Sequence, residues 1–380
     1  MDLESTPTPL LTAAGEVAVA AARCAPGAEA RRRLDPEVVK SLVVAGFPRH
    51  FVPAECGGNP GTFLELNRAV SAVGEGCTAT AWCASLAAHV SRMAAHLPAE
   101  GYREVWADGP DALLVASLTP AGRAETTPGG YRLTGKWPFV SAIDHAEWAL
   151  LASTADDGRA RVFAVPRSAW RTADTWENVG MAATGSNTVL VEDVFVPAAR
   201  TVSRDDLFAG RATDSDAPCH AVPMQSTTMM FAVPALGAAK GALKSWVDHV
   251  TPRIRAAAAA PAPALPGMPT FNRAAHDVVL TRSAAEIDAA ELLLERAAVT
   301  ADLGPAITVL DTTRTWRDCA VATESLVAVV NRLFRAVGTT GQNSANPVQR
   351  FWRDVNSLAG HQGLQVESAS TAYAHQVIRV

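Results

Sequence analysis

SLTPAGRAETTPGGYRLTGKWPFVSAIDHAEWALL, Ser117 to Leu151, is the stretch where the chain changes texture. Val, Thr, Trp and Phe gather there in short runs separated by Gly, Pro and Asp, the composition of strands joined by tight turns. YRLTGKWPFVS and WALLAS lie inside it, LLVASLTP overlaps its start, and RVFAVP and NTVLVEDVFVP follow. Together these five runs predict a β domain that begins at Ala112 and closes near Val196.

On both sides of it the chain reads as helix. Arg31 to Val44 carries Leu34, Val38, Leu42 and Val43 on one helical face, and Gly46 is placed to end it. Thr62 begins the next helix, with Glu65 three residues on completing a capping box. Trp82 to Met93 is a further apolar helix, interrupted after it by Pro98. Helical texture returns from Cys219. Asp277 to Val299 aligns Ile287, Leu294 and Ala298 on one stripe, and Arg314 to Val337 forms another long helix. Between Ala256 and Pro269 an Ala/Pro-rich insert reads as an exposed, non-helical connection. The order helical, β, helical predicts an α+β chain of three layers. Its expected parts are an N-terminal α-helical domain (1–112), a central β domain (113–216) and a C-terminal helical bundle (217–380).

Composition narrows the function classes. A net charge of -5 offers no basic field for nucleic acid or an anionic membrane. No apolar run reaches the roughly 18 uncharged residues of a membrane span. Met1 to Pro9 is polar, with Asp2 and Glu4, and lacks the features of a signal peptide, so a cytoplasmic address is expected. Cys24, Cys56, Cys77, Cys83, Cys219 and Cys319 form no C-x-x-C pair and no metal-ligand spacing with histidine. They read as small buried thiols, and no metal is expected.

The common nucleotide and hydrolase signatures are missing: no Walker loop, no G-x-G-x-x-G after a strand, no G-x-S-x-G, no H-E-x-x-H. GGNPG at Gly57 to Gly61 does not join a strand to a helix. What remains is a constellation. Ser117 to Leu151 resembles the flavin-binding β domain of the acyl-CoA dehydrogenase fold. GTTGQNSANPVQRFWRDVNSLAGHQ, Gly338 to Gln362, resembles that fold's last helical region. With LDPEVVKSLVVAGFPRHFVP, PCHAVPM and EIDAAELLLER the similarity runs over nearly the whole chain. It is nearest to the group D two-component flavin monooxygenases, and among them to the actinorhodin-type hydroxylases of aromatic polyketide pathways.

The resemblance implies an acyl-CoA dehydrogenase-like fold with a C-terminal four-helix bundle, a homotetramer whose long helices pack between subunits, and a flavin site. Ser117, Leu118 and Thr119 would meet the pyrimidine edge. Phe139 takes the place of an aromatic packed on the ring, and Trp137 shields the cofactor edge beside Val140. Ser141 takes that of the hydroxyl that bonds N5, a task suited to a group that both donates and accepts. Gly338, Thr339, Thr340, Gly341 and Gln342 form a polar break between helices whose backbone N–H groups would hold a phosphate or ribityl chain, a site often shared with a neighbouring subunit. Trp82, His89, Met93 and His96 recur at helical spacing and are candidates for the substrate cavity; the same pattern also fits core packing.

His361 is the sharpest clue. Straight-chain acyl-CoA dehydrogenases carry a catalytic Glu beside this position, after an RD pair matched by Arg353 and Asp354. Here Gly360, His361 and Gln362 stand there instead. The implied reaction uses reduced FMN, with FAD possible, delivered by diffusion from a separate NAD(P)H:flavin reductase. Oxygen adds at C4a, and a phenol, naphthol or quinone-type aromatic polyketide takes one oxygen atom. His361, titrating near neutral pH, would assist by proton transfer. The rivals are an acyl-thioester dehydrogenase, an amino-sugar N-oxygenase of the same cofactor chemistry, and a catalytically silent helical scaffold.

Overall fold

The structure, a computed structural model, describes residues 8–58, 60–259 and 272–378. Five helices come first: α1 (Pro9–Arg31), α2 (Pro36–Ala45), α3 (Phe63–Gly76), α4 (Thr78–Ala94) and α5 (Ala99–Val105). The periodic segment read as one helix from Arg31 is cut at its start. Arg32 adopts a left-handed φ of 56°, and Asp35 caps the new helix ahead of Pro36. Gly46 ends α2 at φ 94°, as its position predicts. Thr62 accepts the Glu65 N–H at 3.1 Å, while the Phe63 and Leu64 N–H groups are taken by the Asp302 carboxylate from a distant loop.

The middle of the chain is one eight-stranded mixed sheet: β1 (Leu114–Ser117), β2 (Arg123–Thr127), β3 (Gly130–Val140), β4 (Trp148–Ala155), β5 (Ala160–Pro166), β6 (Arg171–Ala173), β7 (Asn187–Pro197) and β8 (Thr201–Ser203). The order is β6-β7-β3-β2-β4-β5-β8. β1 pairs in parallel with the first half of β4, Leu114 with Trp148 through Ser117 with Leu151. Five of the strands are those read from the sequence; β2, β6 and β8 are short, polar or both and carried no alternation to find. Leu133, Trp137, Val140, Leu151 and Phe163 fill the sheet's own core.

After α6 (Arg204–Phe208) the chain is helical again: α7 (Met229–Ala259), α8 (Arg273–Ala301), α9 (Val309–Ala336), α10 (Gly338–Gly341), α11 (Pro347–Leu358) and α12 (Val366–Val377). Ile287, Leu294 and Ala298 are buried along α8, the stripe its periodicity predicts. Ala256 to Ala259 complete α7 instead of starting an irregular connection, because alanine is the best helix former and the prolines begin only at 261. The rest of that insert lies outside the described residues, as does most of the polar N-terminus.

One seam ties the sheet to the last helices. Met181 N–H donates to Asp354 Oδ1 at 2.6 Å, and Arg353 donates to Val179 O at 2.8 Å and pairs with Glu29. Gly180 passes so close to α11 that a Cβ there would lie 2.1 Å from Arg353 O. Only glycine fits.

Candidate active site

Between the sheet, α4, α7 and the α11–α12 corner lies a cavity of about 1030 Å³. Small-molecule sites run from roughly 300 to 1,000 Å³, so this one lies at the top of that range. Its wall is mostly apolar. Arg204, His145 and His361 are its only ionisable side chains apart from the Cys83 thiol, and no carboxylate stands on it among the described residues.

β3 delivers its end to the cavity through an irregularity. The register with β7 shifts between Trp137 and Val140, and Phe139 adopts φ 63°, a left-handed conformation costly for a bulky residue. The bulge turns Pro138 and Phe139 outward together, leaving Trp137 and Val140 on the inward face. Phe139 is therefore 71% exposed at the cavity wall, edge-on to Trp176 at 6.2 Å. Trp137 and Val140, expected at the cofactor, are fully buried in the sheet core and do not reach the wall. The Trp137 indole is spent on Ala152 O at 2.7 Å.

Ser141 follows the bulge and enters a row of hydroxyls. Thr184 donates to Met181 O at 2.8 Å, so its own oxygen accepts from Ser186 at 2.6 Å. Ser186 in turn accepts from Ser141 at 2.8 Å. Trp82 Nε1 donates to Ser141 Oγ at 3.0 Å. A hydroxyl has one proton and two acceptor sites. The row thus uses the Ser141 proton and one lone pair, leaving a single acceptor at the cavity.

His361 completes the opposite corner. Its Nδ1 accepts the Gly363 N–H at 3.1 Å, which assigns the ring proton to Nε2. The ring packs at a tilt of 32° against Phe231, centroids 3.9 Å apart, and meets Trp82 edge-on at 5.7 Å. Burial without a charged partner pushes its pKa down to about 4. The expectation of a histidine titrating near neutral pH is corrected: this one is neutral and a donor.

Of the four substrate-cavity candidates, Trp82 and Met93 line the cavity, with Leu86 and Val90 between them at helical spacing. His89 and His96 do not. His89 lies on the other face of α4, against Phe51 and Phe63, and His96, past the end of α4 at Ala94, donates its Nδ1–H to Arg92 O, 3.1 Å away. Both are held neutral, chiefly by burial and then by the Arg92 guanidinium. Ser117, Leu118 and Thr119 leave β1 on the wall. Gly338 to Gln342 are elsewhere: α9 carries Trp316 on the cavity, and about 22 residues of helix at 1.5 Å each put Gly338 roughly 30 Å along it. The sequence reading missed Phe231, Trp176, Thr184, Ser186, Met224 and Arg204. The polar run TGSN at 184–187 was the one visible signal for the hydroxyl row.

The lining suits a flavin ring: a mostly apolar wall with the exposed Phe139, one directed hydroxyl acceptor and a neutral histidine. The fold and the cavity together define a flavoprotein of acyl-CoA dehydrogenase architecture. Residues 229–366 match the acyl-CoA dehydrogenase C-terminal domain family. The oxygenase component of the FADH2-dependent resorcinol hydroxylase from Rhizobium sp. strain MTP-10005 is 31% identical over 92% of this chain and 89% of its own. The oxygenase subunit HsaA of a flavin-dependent monooxygenase from Mycobacterium tuberculosis is 33% identical over 90% and 89%. The crystal structure of a 3-HSA hydroxylase from Rhodococcus sp. RHA1 superposes with TM-score 0.91 at 28% identity, over 98% of this chain and 97% of that one. The chain belongs to the oxygenase subunits of two-component, flavin-dependent monooxygenases. Among the described residues no helix is long and apolar enough to cross a membrane.

Proposed function

We propose that the protein hydroxylates a multi-ring aromatic substrate of the polyketide type, using reduced FMN or FAD supplied by a separate NAD(P)H:flavin reductase. The observation that carries this reading is the wall itself: one acceptor at Ser141, one neutral donor at His361, and no carboxylate. A dehydrogenase acting on an acyl thioester needs a base to remove the α proton, and no carboxylate stands on this wall among the described residues to supply it. Met93, Met224 and Met230 supply adaptable apolar surface suited to fused rings.

When bound, the reduced flavin supplies oxygen activation: dioxygen and the substrate's aromatic C–H become a hydroxylated ring and water as the flavin is oxidised. The chain does the rest. Ser141 accepts the N5 proton's hydrogen bond and keeps that proton in place. His361 Nε2 holds its proton toward the reacting oxygen. Phe139, Trp176 and Phe231 exclude water from the slot. Ser117, Leu118 and Thr119 take the pyrimidine edge, and Gly338 to Gln342 serve the flavin tail of a neighbouring subunit. In this arrangement 113–216 presents the flavin and substrate face, and 217–380 the opposing wall and the oligomer contacts. A homotetramer is supported by the apolar side chains Val278, Leu292 and Val309 exposed on α8 and α9. The site of action is cytoplasmic, where the reductase is available.

The test is turnover with a flavin reductase, NADH, a naphthol and isotopically labelled dioxygen. Label in the product ring is expected. Flavin reoxidation that yields only hydrogen peroxide with every phenol and naphthol offered, alongside oxidation of an acyl thioester, would overturn the reading.

A further inference from the structure

The cavity has one permanent charge. Arg204 stands in the compartment where Val90, Met93, Met224 and Met230 form one hydrophobic cluster, with Leu118 and Phe208 packed against it. Its Nε donates to Leu118 O at 2.9 Å, and its guanidinium lies 4.0 Å from the Phe208 ring centre. These two contacts fix the plane of the group. They leave its terminal nitrogens without a protein acceptor, and no carboxylate pairs with it among the described residues. Arg33, Arg49, Arg200, Arg296 and Arg332 all meet acids, and the buried Arg92 spends its N–H groups on carbonyls; the terminal nitrogens of Arg204 have neither. A half-buried guanidinium facing an apolar cavity lacks a counter-ion, and its planar fork matches a carboxylate through two parallel hydrogen bonds.

Resting on the hydroxylase reading above, we propose that Arg204 anchors an acidic group, a carboxylate or a comparably acidic enolate, on the aromatic substrate. The ring then lies among the three methionines, and its reacting carbon points toward Ser141 and His361. The residue is a specificity determinant. It explains why a cavity so apolar keeps one charge at one end. The same anion chemistry could instead come from the flavin phosphate, so the test separates the two.

The experiment is anaerobic equilibrium binding, with no turnover. A hydroxynaphthoate and the matching hydroxynaphthamide are titrated against the wild type, Arg204→Gln and Arg204→Lys, and reduced FMN and reduced riboflavin against the same three proteins. The wild type is expected to bind the acid about tenfold or more tightly than the amide, the scale of one charge-assisted pair. Arg204→Gln reduces that preference to within about twofold, Arg204→Lys keeps part of it, and the FMN-to-riboflavin ratio stays constant throughout. An equal acid preference in wild type and Arg204→Gln overturns the proposal, as does failure of the wild type to bind either probe. A collapsed FMN-to-riboflavin ratio with the acid preference intact assigns Arg204 to the cofactor phosphate. Should Arg204→Gln not fold, Arg204→Lys and the wild-type preference decide. Because nothing is turned over, acid selectivity without hydroxylation marks the functional reading as wrong and the anion site as right.

Discussion

The Trp82 indole N–H reaches from α4 to the Ser141 hydroxyl at the end of β3, 3.0 Å away, and so joins the helical layer to the sheet at the cavity wall. With the Ser141 proton committed to Ser186, the serine faces the cavity as an acceptor. Ser141→Ala removes that acceptor. Product formed per flavin oxidised is expected to fall about tenfold, the missing flux appearing as hydrogen peroxide, since one oriented hydrogen bond is worth about 1–2 kcal/mol. Ser186→Ala frees the Ser141 proton without removing the oxygen, and a smaller loss of coupling follows. Equal coupling in wild type and Ser141→Ala would count against the directed row.

His361 is a donor that does not titrate in the working range. Between pH 6 and 8, far above its pKa of about 4, its state is constant. His361→Ala is expected to lower kcat by roughly 10- to 100-fold with no change in the shape of the pH profile, while His361→Asn retains part of the rate by keeping an N–H. An inflection near pH 6.5 that disappears in His361→Asn would restore the titrating histidine.

Acid should unfold the protein through its buried histidines, His96, His220 and His361 among them. Burial pushes His96 to about 3, and His220 and His361 to about 4, from an ordinary 6.5. The unfolded chain binds protons that the fold refuses, so their contribution is complete above about pH 6.5 and is lost as the pH falls toward 4. Each group costs up to about 1.4 kcal/mol per pH unit in that window. Urea midpoints between pH 7.5 and 5 measure it, and an unchanged midpoint would contradict neutral burial.

Arg92 is fully buried yet has no acid beside it; burial lowers its pKa to about 10. It donates to Cys219 O at 3.1 Å and Val222 O at 3.0 Å, and its NH2 lies 3.0 Å from Met224 Sδ, holding the turn that carries Met224 to the cavity. Arg92→Ala leaves those carbonyls unpaired and a void, a loss of about 3–5 kcal/mol in unfolding free energy. Chemical denaturation reads it directly.

Phe139 is the reverse case. Exposed and at φ 63°, it adds little to folding. Phe139→Ala is expected to leave the melting midpoint within about 0.5 kcal/mol of wild type while weakening reduced-flavin binding about tenfold. A large fall in stability with unchanged flavin affinity would remove Phe139 from the site.

The long strands and amphipathic helices were legible because alternation and the Ile287–Leu294–Ala298 stripe report burial directly. β2 and β8 were not, since RAETT and TVS carry no apolar face. Within the site, Ser141, Phe139 and His361 could be read through the family resemblance, and Met93 from helical spacing. Which face of α4 the cavity uses, and that the helix stops before His96, could not, and so His89 and His96 were grouped with Met93. The bulge that separates Phe139 from Trp137 leaves no mark on composition. Arg204 is visible only once Leu118 and Phe208 are seen to hold it.

The bare backbone contact at Gly180 also limits how this enzyme can be changed. The seam to Arg353 and Asp354 admits no side chain, so it cannot be widened to make room for a larger molecule. A change in what the cavity accepts can come instead from exchanges on α4, from Met224 and Met230, or from Phe208 and Arg204. A search for altered selectivity should vary those positions and leave 179–181 untouched.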